Sequence, residues 1–210
     1  DSDELDDGLM TDLVRTCSEY VDLQSVDWDF ALASWILYTW IPELFPVLPR
    51  LLIKGVTNTG KSRVTDLVRL LGNKGLVSTD MTPAVMFRIA ERFQPTLAYD
   101  EAQDMVSDKE KSAAILNIYK SGYDRRPIFR MKENNDDFDV FHVENPLAMA
   151  VKNWEPPEDC LNRSLIINMI KKRRKVSKDR PEESEEFQEL RGRALAFRLK
   201  CFSGKIPIEE

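Results

Sequence analysis

The sequence predicts one α/β domain built on a parallel β-sheet with helices on both faces. Apolar strand-like runs alternate with helix-like segments along the 210 residues, a pattern typical of a parallel sheet. The clearest unit is the apolar run 51–53, followed by a glycine-rich turn over 55–62 and a helical pattern over 62–71. A strand, a glycine-rich turn and a helix in this order form a βα unit, and this unit sets the fold class.

The other elements are predicted from hydrophobic periodicity and from the residues that begin and end them. A helix over 9–23 follows an acidic leader, and Asp27 is predicted to cap a second helix. That second helix is apolar on nearly every side, so it is expected to be buried against the sheet domain or a neighbouring subunit. The remaining elements are a strand over 75–79, a helix from Thr82-Pro83, a strand over 96–100, a helix over 108–121, a hairpin over 127–143, strands over 146–151 and 165–170, and an amphipathic helix over 183–201.

The glycine-rich turn matches the phosphate-binding pattern G-x-x-x-x-G-K-S. In such a loop, backbone N–H groups at the helix N-terminus point at the β-phosphate. Lys61 is expected to reach the β- and γ-phosphate oxygens, and Ser62 to ligate Mg²⁺. The predicted nucleotide-binding residues are Gly55, Thr57, Asn58, Thr59, Gly60, Lys61, Ser62 and Arg63.

Two acids end the predicted strand 96–100. Asp100 is predicted to hold Mg²⁺ through its water shell, and Glu101 to polarise the water that attacks the γ-phosphate. The alternative is an ordinary solvated turn, but the phosphate loop upstream favours the catalytic interpretation. A nucleotide kinase needs no water-activating base, so Glu101 indicates hydrolysis.

Composition limits the class and location of the protein. The net charge is -6, but much of the acid lies in residues 1–7 and 182–189, so the total is a poor guide to partners. Three widely spaced cysteines without a C-x-x-C pattern indicate reduced thiols. Prolines interrupt the apolar stretch near residues 30–48, which is too short to span a bilayer. We therefore expect a cytoplasmic fragment of a longer protein, with no membrane partner.

The succession of parts resembles a P-loop ATPase of the AAA+ type over about residues 27–201. In that family the residue ending the fourth strand senses the γ-phosphate, which implies Asn153 here. An arginine before the fifth strand reaches the nucleotide of the neighbouring subunit, which implies Arg163; the alternative is a plain surface arginine at a strand entry. The resemblance implies ATP and Mg²⁺ as cofactors and a homo-oligomeric ring with six expected subunits. It divides the chain into an N-terminal leader and helix (1–26), an ATPase core (27–175) and a helical lid (176–210).

More narrowly, the segments 82–90 and 95–102 are similar to helicase-like ATPase modules of phages, plasmids and integrative elements. Those modules often accompany primase domains, so the similarity implies a motor that translocates on DNA at a replication site in the host cell. Helicase members of the family insert a DNA-contacting hairpin where one is predicted here. The implied nucleic-acid contacts are Arg125, Arg126, Phe129, Arg130 and Lys132.

Three alternatives stay open at this stage. The hairpin can simply pack on the sheet with a solvated tip at 134–137, whose two acids would repel phosphate. The basic run 171–175 is either a solvated strand exit or a nucleic-acid patch. The nucleotide site can also drive a helicase-loading or protein-remodelling ATPase, or a slow nucleotide-dependent signalling switch.

Overall fold

The structure is a computed structural model that describes residue 6 and residues 8–102, 109–132, 137–171 and 176–203. A five-stranded parallel sheet lies at its centre, and a separate antiparallel hairpin adds two strands. The central strands are β1 (Arg50–Gly55), β2 (Leu76–Ser78), β3 (Leu97–Tyr99), β6 (Leu147–Val151) and β7 (Ser164–Met169), in the order β2-β3-β6-β1-β7; the hairpin is β4 (Ile128–Met131) and β5 (Phe138–Phe141). The predicted fold class is confirmed.

Helices cover both faces of the sheet. They are α1 (Leu9–Tyr20), α2 (Val26–Tyr38), α3 (Lys61–Leu71), α4 (Pro83–Phe93), α5 (Lys109–Tyr123), the short α6 (Glu158–Leu161) and α7 (Glu185–Phe202). One apolar cluster joins α1, α2, α3 and α7 to the sheet, and a second joins α4 and α5 to it. In β1, Leu51 and Ile53 belong to the first cluster and Leu52 to the second, as the two-residue period of a strand requires.

The parallel register brings the carboxyl ends of the strands to one edge of the sheet. β1 lies between β6 and β7, with Leu51 opposite Ala148 and Arg50 opposite Ser164. The segments that follow β1, β3 and β6 therefore leave the sheet at the same edge. They carry the glycine-rich turn, the two acids and Asn153.

The second helix differs from its prediction in two respects. Its N-cap is Ser25, and not Asp27, because the Ser25 hydroxyl accepts the backbone N–H of Asp27 at 3.1 Å. Ile36 is fully buried, whereas Val26 and Phe30 are 68% and 53% exposed. The start of α2 therefore projects from the core that covers its later turns.

The predicted hairpin is confirmed, with Ile128 opposite Phe141. Most of its predicted tip (134–136) and most of the basic run 171–175 (172–175) lie outside the described residues. Within the described ranges, no helix combines the length and apolar character needed to cross a membrane.

A buried arginine ties the end of α5 to the sheet. Arg50 begins β1, is completely buried, and donates hydrogen bonds to the backbone carbonyl oxygens of Ile118, Tyr119 and Asn145 at 3.2, 3.0 and 2.6 Å. Gly122 leaves space for it, because a Cβ there would lie 2.2 Å from Arg50 Nη2. Burial lowers the pKa of Arg50 to about 10, which leaves it charged at neutral pH.

Candidate nucleotide-binding site

The turn between β1 and α3 depends on two glycines. Gly60 has a φ of +97°, in the left-handed region that L side chains rarely adopt. A Cβ on Gly55 would lie 2.7 Å from both the Met169 carbonyl oxygen and Thr59 Oγ1. These two positions let the backbone leave β1, turn sharply and enter α3.

The N-terminus of α3 has no side-chain cap, because its N-cap residue is Gly60. Backbone N–H groups in a first helical turn lack intrahelical partners and carry the positive end of the helix dipole, which suits them to bind an anion. Thr59 Oγ1 and Lys61 Nζ both donate to the Val56 carbonyl, at 2.8 and 2.9 Å. Lys61 is thus folded against the loop, where burial lowers its pKa and Asp100 opposes that effect.

A cleft of about 890 Å³ opens over this turn at the carboxyl edge of the sheet. Its volume lies in the range of small-molecule sites. Side chains from the ends of three strands meet in it, although they are far apart in the sequence. Its walls are residues 57–63, Asp100, Glu101, Lys152, Asn153 and Arg180.

The two acids of the cleft differ in exposure. Asp100 is buried, its N–H donates to the Ser78 carbonyl at 2.9 Å, and its Oδ1 accepts the N–H of Glu101 at 3.1 Å. Glu101 is exposed. Ser62 and Asp100 both line the cleft and offer the hard oxygen ligands that Mg²⁺ prefers, so these residues fit the ion.

Three residues of the cleft have left-handed backbones without being glycine. The φ angles of Asn58, Glu101 and Asn153 are +62°, +56° and +53°. Such conformations cost about 1–3 kcal/mol each and cluster at functional sites, where the surrounding structure holds them. Here they occur in the segments that follow β1, β3 and β6, and all three residues line the cleft.

Two cations of the cleft lie outside the predicted set. Lys152, next to Asn153, opposes the charged form of Lys61 and so contributes to lowering the Lys61 pKa. Arg180 comes from the segment before α7, and its Nε donates to Asp66 Oδ2 at 2.5 Å. Its place in the cleft follows from tertiary packing, and no local sequence pattern indicates it.

Arg63 lines the cleft through its position in the first turn of α3, but its guanidinium points elsewhere. Its Nη1 donates to the carbonyl oxygens of Tyr20 at 3.0 Å and Lys178 at 3.2 Å. The side chain therefore connects α3 to the end of α1 and to the segment before α7.

Arg163 lies at the opposite edge of the sheet from the cleft. It precedes β7, whose six residues span about 20 Å at about 3.3 Å each. Its Nη1 donates to the Asp159 carbonyl at 2.5 Å, and its guanidinium is 3.5 Å from the Asp124 carboxylate and 5.5 Å from the Tyr123 ring centre. This arginine is too far away to reach the nucleotide site of its own chain.

The basic residues predicted for nucleic acid have different surroundings. Arg125 donates to the Pro42 carbonyl and lies 3.6 Å from Glu144, so it holds the base of the hairpin. Lys132 forms an ion pair with Asp137. Arg126 and Arg130 are exposed, as is Lys132, and the Arg130 guanidinium lies 4.9 Å from the Phe87 ring centre.

The two faces of the hairpin differ in polarity. Arg130 and Asp139 are directly opposite each other on one face. The other face consists of exposed apolar side chains in two cross-strand pairs, Phe129 with Val140 and Met131 with Phe138. We call these four residues the apolar hairpin face.

Comparison with known proteins finds solved structures that are similar to this one but low in sequence identity. The C-terminal region of NrS-1 aligns with a TM-score of 0.49 and 15% identity, over 98% of this chain and 47% of that one. JCV helicase aligns with a TM-score of 0.45 and 14% identity, over 93% and 54%. This chain thus spans about half the length of both. No family model matches the chain, and no curated protein sequence does either.

Proposed function

We propose that this chain hydrolyses ATP and uses the energy to translocate on and unwind DNA during replication of a mobile element or virus. The observation that supports ATP hydrolysis best is the single cleft over the uncapped start of α3. Lys61, Ser62, Asp100 and Glu101 all line it. Anion-binding amides, a cation, metal ligands and a candidate base are the parts that phosphoryl transfer to water needs.

Each residue of the cleft has a distinct role in this proposal. The first-turn amides of α3 and Lys61 bind the β- and γ-phosphates, while Ser62 and Asp100 hold Mg²⁺ directly and through water. When bound, Mg²⁺ neutralises charge on the phosphate oxygens. Glu101, the exposed acid, orients the attacking water and accepts its proton. Asn153 contacts the γ-phosphate from the end of β6.

The ring is part of the proposal because of Arg163. It lies about 20 Å from the cleft edge, so a contact between Arg163 and a nucleotide requires the site of another subunit. In a ring, most simply a hexamer, each subunit would present this arginine to its neighbour's ATP and stabilise the charge of the transition state.

The hairpin supports DNA as the partner. Phe129 is 61% exposed and offers a ring on which a base can stack, and the exposed Arg126 and Arg130 can contact phosphates. The test is the ATPase rate of the assembled protein with and without single-stranded DNA at low salt. We expect several-fold stimulation, reduced by Arg126→Ala and Arg130→Ala, and an unchanged rate would contradict a DNA motor.

A second candidate is a helicase-loading or protein-remodelling ATPase. The apolar hairpin face favours it, because four neighbouring apolar side chains suit a protein surface better than a phosphate backbone. In that case the rate would not respond to DNA, while Met131→Ser would impair partner-stimulated turnover. A slow signalling switch would show low turnover under every condition.

A further inference from the structure

Both Nη groups of Arg163 are in contact with its own chain. Nη1 donates to the Asp159 carbonyl at 2.5 Å, and Nη2 donates to Asp124 Oδ2 at 3.5 Å. The Nε atom is buried and has no hydrogen-bond partner among the described residues. The side chain as a whole is 26% exposed, so only part of the guanidinium is open to a neighbouring molecule.

Asp124 is the carboxylate committed to this arginine. Among the described residues, Asp124 forms its ion pair with Arg163 alone. The Asp159 carboxylate is 3.9 Å from Nη1 of Arg163 but only 2.6 Å from Lys120 Nζ. That contact with Lys120 lowers the pKa of Asp159, so its carboxylate is already engaged, whereas its backbone carbonyl holds Arg163.

The end of α5 that leads to Asp124 is fixed to the sheet domain. Arg50 donates to two carbonyl oxygens of α5, and the buried Leu48 donates its N–H to the Tyr123 carbonyl at 3.0 Å. The Tyr123 ring lies 5.5 Å from the Arg163 guanidinium, a distance at which a cation is attracted to a ring face. The Asp124 carboxylate is therefore attached to a rigid element and not to a free loop.

Such an anchor matters for an arginine that must reach an anion in another molecule. A long side chain loses rotamer freedom when it binds, and contacts that hold it beforehand reduce this loss. The planar guanidinium must also present its N–H groups in the right direction. A displacement of about 1 Å at a reacting centre can slow a reaction by about 10²-fold.

We propose that Asp124 is a positioning residue for hydrolysis in the neighbouring subunit, because its carboxylate orients Arg163 toward the nucleotide bound there. This inference rests on the proposed function, since it requires Arg163 to act in trans. The Asp159 carbonyl and the Asp124 carboxylate hold the guanidinium from two sides, and its exposed part faces the neighbour's terminal phosphate. Asp124 itself touches no nucleotide, so its loss affects turnover and not ATP affinity.

The test measures the ATPase rate of the assembled protein and, separately, its affinity for a fluorescent non-hydrolysable ATP analogue. Asp124→Ala should lower kcat about tenfold or more and change the affinity by less than about twofold, because only the arginine presented to the neighbour is displaced. Asp124→Asn keeps an oxygen that can accept from Nη2 and should lose less. The double variant with Arg163→Ala should be no slower than Arg163→Ala, since positioning has no effect once the arginine is gone.

A mixing experiment distinguishes positioning from damage to the variant's own cleft. In a mixed ring, the intact cleft of an Asp124→Ala subunit can face a Lys61→Ala subunit, whose own cleft is inactive but whose Arg163 is correctly held. Mixing should therefore restore part of the rate, as it should for Arg163→Ala. A substitution that harms its own cleft would gain nothing from such a neighbour.

Lys120→Ala is the matched control. Lys120 lies one helical turn before Asp124 and connects α5 to α6 through its ion pair with Asp159. Its removal takes a similar contact from the same two helices but leaves Asp124 beside Arg163, so kcat should change by less than about twofold. Thermal midpoints report folding, and Asp124→Asn carries both the rate and the mixing measurement if Asp124→Ala does not fold.

Three results would overturn the inference: an unchanged kcat in Asp124→Ala, an equal loss in Lys120→Ala, or no recovery on mixing. An equal loss in Lys120→Ala would make both ion pairs structural links between α5 and α6. Failure of the proposed function has a different signature, because Arg163→Ala would then itself keep the wild-type rate. A slow Arg163→Ala beside a fast Asp124→Ala would refute the positioning role alone.

Discussion

Replacing Arg50 with leucine should destabilise the protein strongly. The change removes three hydrogen bonds from a charged donor to the carbonyl oxygens of Ile118, Tyr119 and Asn145, each worth about 1.5–3 kcal/mol. Loss of the buried charge offsets part of this, since burying an ion costs several kcal/mol. The net expectation is about 3–5 kcal/mol, which is what remains of the three hydrogen bonds after the cost of burying the charge is subtracted.

That cost is a large part of the roughly 5–15 kcal/mol that stabilises a typical domain. At about 2–4 °C per kcal/mol for a chain of this size, the thermal midpoint should fall by about 6–20 °C. The assay is thermal unfolding followed by circular dichroism, with guanidinium chloride titration as a second measurement. Both report the whole domain, because Arg50 joins α5 to the sheet.

Arg69→Leu is the control for the Arg50 substitution. Arg69 is partly exposed, and its contact with Asp66 is 4.0 Å long, so its loss should change stability by about 0.5 kcal/mol or less. Gly122→Ala tests the same packing from the other side, because its Cβ would lie 2.2 Å from both Arg50 Nη2 and the Val143 carbonyl. If Arg50→Leu lowers the midpoint no further than Arg69→Leu, the three hydrogen bonds do not carry the stability assigned to them.

Three further predictions concern the cleft and the opposite edge of the sheet. Lys61→Ala should abolish ATP binding in a fluorescence titration, because it removes the point charge on the β- and γ-phosphates, and unchanged affinity would refute the loop assignment. Glu101→Gln should bind ATP normally and turn over about 10²-fold more slowly or worse. A comparable loss of affinity would make Glu101 a structural or metal-shell residue. Arg163→Ala, in a ring shown to assemble, should bind ATP and hydrolyse it about 10³-fold more slowly or worse. Mixing it with Lys61→Ala should restore part of the rate, and full activity of the unmixed variant would exclude the role in trans.

The sequence predicts correctly those parts of the molecule that are determined by residues close together in the chain. Alternating strands and helices predict a parallel sheet covered on both faces, and the sheet has this form. The turn at 55–62 is recognisable because its glycines are required by its backbone, through the left-handed φ of Gly60 and the close approach at Gly55. Asp100 and Glu101 follow a strand of that sheet and line the cleft, while their catalytic roles stay predictions.

The parts that the sequence does not predict depend on contacts between distant segments. Arg180 lines the cleft because Lys178, two residues earlier, forms ion pairs with Glu19 and Glu186. Hydrophobic periodicity along the sequence does not predict such contacts between distant segments. The strand pattern does not indicate that Arg50 is buried, yet the end of α5 covers it completely. At the start of α2, the N-cap is Ser25, two residues before the predicted Asp27, because the Ser25 backbone is extended and its hydroxyl accepts the N–H of Asp27.

Because the cleft and Arg163 lie at opposite edges of the sheet, substitutions near one edge should have different effects from substitutions near the other. Arg50 holds the carbonyl oxygens of Ile118 and Tyr119 in α5. Tyr123, one turn further along, and Asp124, which follows the helix, contact Arg163. A substitution at Arg50 is therefore expected to disturb the orientation of Arg163 as well as stability. The cleft lies about 20 Å away along β1 and β7, so ATP binding below the unfolding transition should be retained. If an Arg50 variant keeps its ATP affinity but loses turnover, the substitution has disturbed the edge of the sheet that holds Arg163. If it loses ATP affinity, the substitution has disturbed the cleft or unfolded the protein.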